Sequence, residues 1–93
     1  MTTYLNKNHT SGVSAYKEGL NYIIVKFKDG MFYLYTHKKT GEKLVERMKA
    51  LAIEGQGLNA FIKRCVDKKY EKRSFMEISI PQESLDCKIN VNI

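Results

Sequence analysis

Proline occurs once, cysteine twice and tryptophan not at all in these 93 residues. One proline and six glycines exclude a collagen-like or low-complexity chain. Two cysteines, Cys65 and Cys87, are too few to scaffold a small secreted domain. They point instead to a reducing cytoplasm, where the sequon Asn8-His9-Thr10 is a chance occurrence. No apolar run approaches the ~18 residues of a membrane span, and residues 1–20 lack a signal peptide's hydrophobic stretch. Catalytic signatures are missing too: there is no Walker loop, dinucleotide fingerprint or Gly-x-Ser-x-Gly elbow. His9, His37, Cys65 and Cys87 are too scattered for a metal site, and Cys65 reads as a small core residue of an apolar helix stripe. His37 stands beside Lys38 and Lys39 without a second acid–base group for chemistry on RNA. The expectation is a non-enzyme with no cofactor, no metal and no membrane association.

What is present is basic. Lys and Arg number 16 against 10 Asp and Glu, a net charge of +6, with a pI near 9.4. A 43% hydrophobic fraction with six Tyr and four Phe suits one globular domain over residues 1–93. The charge is uneven: six basic residues against two acidic in 1–40, nine against five in 41–73, and one against three in 74–93. It is densest in Lys63-Arg64-Cys65-Val66-Asp67-Lys68-Lys69-Tyr70-Glu71-Lys72-Arg73. A basic stripe enclosing an aromatic suits phosphate binding, since each neutralised phosphate releases counterions. A solvated helix face is the competing reading.

Along the chain, residues 1–12 are polar and read as a frayed end anchored by Tyr4 and Leu5. Val13 to Tyr16 suggests a brief strand ended by a turn at Lys17-Glu18-Gly19. Tyr22 to Lys28 and Met31 to Thr36 are rich in β-branched and aromatic residues and flank Asp29-Gly30, a strong hairpin signal. From Gly41 to Glu54, Leu44, Val45, Met48, Leu51 and Ala52 mark one face of a helix, with Thr40 as N-cap and Gly55 as its stop. A second helix is expected from Leu58 to about Tyr70, with Leu58, Phe61, Ile62, Cys65 and Val66 on its apolar face. In the tail, Met76, Ile78 and Ile80 alternate with polar residues before Pro81, and Cys87, Ile89, Val91 and Ile93 alternate after it. The order β-β-β-α-α-β-β predicts an α+β fold, a small antiparallel sheet with two helices packed on one face.

The stretch from Ser11 to Tyr70 resembles the KTSC domain family, named for the C-terminus of some lysyl-tRNA synthetases. The likeness is carried by Ser11 and Ser14, Ile23-x-Val25-x-Phe27, Gly30, Tyr33-Leu34-Tyr35, Gly55 or Gly57, Asn59, Phe61, Ile62-Lys63-Arg64 and Tyr70. Residues 74–93 lie outside the family pattern and are expected to form a C-terminal strand or hairpin extension. The resemblance implies a small α+β domain of the kind found alone in bacterial and phage proteins, for which RNA binding is proposed.

Which way Tyr33 and Tyr35 point depends on hairpin register. A two-residue turn at Asp29-Gly30 pairs Lys28 with Met31 and sets both tyrosines beside Lys26 on a face open to stacked bases. A three-residue loop, Lys28-Asp29-Gly30, pairs Phe27 with Met31 and turns both tyrosines into the core, because a one-residue slip exchanges the faces. The candidate nucleic-acid-binding set spans both outcomes: Lys26, Tyr33, Tyr35, Lys38, Lys63, Arg64, Lys68, Lys69, Lys72 and Arg73. The leading expectation is RNA binding through a basic helix surface, with little sequence discrimination. The alternative is a protein-interaction module, a homodimer through edge strands, or a phage-type inhibitor of a host protein or ribonucleoprotein complex.

Overall fold

The computed structural model describes residues 1–7 and 11–78. Strands β1 (Thr2–Thr3), β2 (Val13–Gly19), β3 (Tyr22–Phe27) and β4 (Phe32–Thr36) precede helices α1 (Glu42–Glu54) and α2 (Leu58–Cys65), and β5 (Lys72–Ser74) follows them. All five strands join one antiparallel sheet in the order β1-β2-β3-β4-β5. The expected α+β architecture is present, with the helices packed on one face. No helix among the described residues is long and apolar enough to cross a membrane.

The β3–β4 hairpin adopts the three-residue loop. Val25 faces Tyr33 and Ile23 faces Tyr35. Phe27 N–H donates to the Met31 carbonyl at 2.9 Å, and Gly30 N–H donates to the Phe27 carbonyl at 3.0 Å. Gly30 takes φ +94°, which glycine adopts without steric cost, and Asp29 Oδ1 accepts the Met31 N–H at 2.9 Å. Ile23, Val25 and Tyr35 therefore face the helices, where they pack with Val45, Met48, Leu51, Leu58, Ile62 and Val66. Ile24, Phe32 and Leu34 face the other way, under Ile78 and the half-buried Tyr22.

Several sequence expectations move. The β2–β3 turn is Leu20-Asn21 rather than Lys17-Glu18-Gly19, because β2 continues to Gly19 opposite Tyr22. The first residues, expected to fray, are anchored from Thr2 to Tyr4: β1 pairs with β2, and Tyr4 is buried with its hydroxyl accepting the Leu58 N–H at 3.3 Å. Leu5 is exposed. Thr40 does not cap α1, whose N-cap is Gly41; its hydroxyl donates instead to the Lys69 carbonyl at 2.7 Å.

The second helix stops at Cys65 rather than Tyr70. Val66 turns into the core, Lys68 takes a left-handed φ of +66°, and the chain re-enters the sheet as β5. β5 and Glu71, whose N–H donates to the Leu34 carbonyl at 2.7 Å, satisfy the backbone of β4 that would otherwise be a bare edge. Cys65 is exposed, not core, because the turn at Val66 takes the buried position. Of the expected tail hairpin, Met76 and Ile78 are in no strand, and Ile80 to Ile93, like His9 and the sequon, lie outside the described residues.

Helix α1 ends on Gly55 at φ +84°, where a Cβ would lie 2.7 Å from Leu5 Cβ. Gly55→Ala is expected to lower stability by at least about 1–2 kcal/mol, the penalty of a left-handed L-residue, with the overlap on Leu5 adding to it. Thermal unfolding followed by circular dichroism should show a Tm drop of roughly 5–10 °C.

Candidate nucleic-acid interface

The three-residue loop places Phe27, Tyr33 and Tyr35 in one row on the helix-bearing face. Tyr33 is the hinge of this group. Its ring meets Phe27 edge-on at 5.3 Å and Tyr70 edge-on at 5.1 Å, and lies nearly parallel to Tyr35 at 6.4 Å. Such contacts add about 0.5–1.5 kcal/mol per pair beyond burial. Tyr35 is buried, whereas Tyr33 and Tyr70 are half-buried and reach solvent.

These rings line a groove of about 300 Å³ that α2 completes with Asn59, Ile62 and Lys63. The turn after α2 contributes Asp67 and Lys68, β5 contributes Arg73, and the hairpin loop contributes Asp29. The Arg73 guanidinium stands 6.0 Å over the Tyr70 ring, within cation–π range. Three cations therefore rim an aromatic floor. The ion pairs among the described residues both belong to Glu46, so Lys63, Lys68 and Arg73 are not committed to carboxylates there.

The ten candidate residues divide. Tyr33, Tyr35, Lys63, Lys68 and Arg73 line the groove. Lys26 lies on the opposite sheet face, its Nζ 5.4 Å over the Phe32 ring, and Lys72 pairs with Leu34 on that same face. Lys38 sits in the turn between β4 and α1, and Arg64 and Lys69 are exposed without lining the groove. The expected single helix surface is thus corrected to a rim assembled from helix, turn and strand. Of the two orientations open for Tyr35, the inward one holds: its ring is buried against the helices and forms the groove's floor, so it offers no stacking platform.

Phe27, Asp29, Asn59, Ile62, Asp67 and Tyr70 also line the groove and are not among the ten candidates. The signal for Phe27 was the three-residue register, which puts it beside Tyr33. Tyr70 was visible as the aromatic within the basic run. Nothing in sequence marks Asp67, whose position follows from the early end of α2.

His37 does not line the groove. Its Nε2 lies 2.7 Å from Glu46 Oε2, and Lys49 Nζ lies 2.8 Å from the same oxygen while donating to the Leu20 carbonyl at 3.1 Å. Lys49 first, and then His37, hold the exposed Glu46 carboxyl below its ordinary range. Among the described residues, no three His, Cys, Asp or Glu side chains converge as a metal would require.

Burial, followed by the neighbouring Tyr33, Asp67 and Tyr70, pushes the Tyr35 hydroxyl well above its ordinary value of 10.0. Folding therefore favours its neutral form, a contribution fully present below pH 10 and lost progressively as pH rises above it. Denaturant titrations on either side of pH 10 should show a smaller alkaline loss of stability in Tyr35→Phe than in the parent chain.

Lys68 is left-handed at φ +66°, a conformation that costs a non-glycine residue about 1–2 kcal/mol. Glycine relieves that strain but loses about 0.5–1 kcal/mol in unfolded-chain entropy. Lys68→Gly should therefore hold stability level or raise it by up to about 1.5 kcal/mol, as measured by urea denaturation. It removes one rim cation without unfolding the site. Comparison with family models, with curated protein sequences and with solved structures finds no match to this chain.

Proposed function

We propose that this chain is a small non-enzymatic domain that binds single-stranded RNA through the groove face. The observation that carries the reading is the convergence of Lys63, Lys68 and Arg73 on one aromatic-floored groove. Cations in that arrangement neutralise phosphates, while the half-buried Tyr33 and Tyr70 offer ring surface to a base. The KTSC resemblance lends support of its own kind. Of the residues that carry it, Phe27, Tyr33, Tyr35, Asn59, Ile62, Lys63 and Tyr70 all line the groove. We propose kinship with that family on this basis, and a cytoplasmic location from the low cysteine count.

A second reading has one observation in its favour. Phe75 and Met76 are 80% and 76% exposed immediately after β5, one of the two outer strands of the described sheet. An apolar pair beside an outer strand suits a protein partner, a second copy or an inhibited host complex. Salt separates the two readings. Phosphate binding weakens linearly on a log–log plot against salt, whereas an apolar edge contact barely responds.

Fluorescence anisotropy with a labelled short oligouridine should show such a slope. Lys63→Gln and Arg73→Gln should each flatten it by roughly 0.7, the loss of one single-strand phosphate contact. Lys26→Gln with Lys72→Gln, on the opposite face, should leave it unchanged. Equal effects from both faces would exclude the groove as the binding surface.

A further inference from the structure

We propose that the groove holds one unpaired base of the bound strand and that Asp67 selects guanine there. The inference rests on the RNA-binding reading and goes beyond it, since rim cations alone would be indifferent to base identity. Two carboxylates line the same groove as the three cations. Asp29 is engaged by its own loop, where Oδ1 accepts the Met31 N–H at 2.9 Å. Asp67 makes no ion pair and no side-chain hydrogen bond among the described residues. A carboxylate beside a phosphate is repulsive, so its place in a polyanion-binding groove is favourable only opposite hydrogen-bond donors.

The bases differ sharply in what they offer it. Guanine presents two adjacent donors, N1–H and the N2 amine, on its Watson–Crick edge, which match the two oxygens of one carboxylate. Adenine and cytosine each set a single amine beside an acceptor nitrogen, and uracil flanks its one N–H with two carbonyls. Only guanine meets Asp67 without opposing a lone pair to it. Because the edge used is the pairing edge, the base must be unpaired. The groove's size agrees: about 300 Å³ is at the small end of the ~300–1,000 Å³ range of ligand pockets. Tyr33 and Tyr70, at 77° to one another, give an inserted base one ring face and one ring edge.

The test measures anisotropy of the full chain with short oligouridines whose central base is G, A, C or U, at one fixed low salt concentration. The G oligomer should bind about tenfold tighter than the other three, the discrimination expected of a bidentate base contact. Asp67→Asn, a change at an exposed position, should bring G to within about twofold of the others. Removing that negative charge from the groove should modestly raise oligouridine affinity. A G-containing RNA duplex should lose the preference. Equal affinity for all four oligomers would overturn the guanine assignment while leaving RNA binding intact, as would a preference unchanged in Asp67→Asn. Absence of binding to any oligomer would overturn the RNA-binding reading, and the guanine assignment with it.

Discussion

Phe27 and Met31 face each other across Lys28-Asp29-Gly30, and the period-two geometry of the strands carries that pairing through the sheet. A two-residue turn of the favoured hairpin type would need left-handed backbone at both Asp29 and Gly30. The three-residue loop needs it only at Gly30, and Asp29 is freed to accept the Met31 N–H. With the register fixed, Ile23, Val25 and Tyr35 are committed to the helices and Ile24, Phe32 and Leu34 to the other face. A slip of one residue would exchange the two sets and dismantle the groove.

The groove's floor and rim answer to different forces. Tyr33 is held by edge contacts to Phe27 and Tyr70, each worth about 0.5–1.5 kcal/mol, and the buried Tyr35 adds its own packing. Exposed cations contribute little to folding, since even paired surface charges are worth only about 0–1 kcal/mol. Aromatic packing therefore maintains the shape, and Lys63, Lys68 and Arg73 can serve a ligand without weakening it. The strained backbone at Lys68 fits this division. Lys68 stands on the rim in a left-handed conformation that glycine would adopt without strain.

Much of the fold was legible because its signals are local. Asp29-Gly30 between apolar strands announced the hairpin, and the spacing of Val45, Met48, Leu51 and Ala52 announced α1. Both registers were readable, and the backbone demands at Asp29 and Gly30 separate them. What escaped was non-local. Lys72-Arg73-Ser74 has no apolar alternation and becomes a strand only because β4 lacks a partner on that side. The basic run therefore looked like one helix, and its cations were assigned to one surface. The cross-strand pairing sends Lys72 to the face of Leu34 and Arg73 to the face of Tyr33. Half of the proposed site was thus named from sequence, while Asp67 became visible only once α2 was seen to end at Cys65.

This register gathers aromatics and cations into one groove on one face of the sheet, the surface proposed to bind RNA. An amide NMR titration of the 93-residue chain with short single-stranded RNA, at low and moderate salt, tests it most directly. Saturable shifts should cluster on Tyr33, Lys63, Asp67, Lys68, Tyr70 and Arg73, shrink as salt rises, and leave Lys26 and Lys38 silent. Shifts centred on the face of Ile24 and Phe32, or no saturable shifts even at low salt, would contradict it.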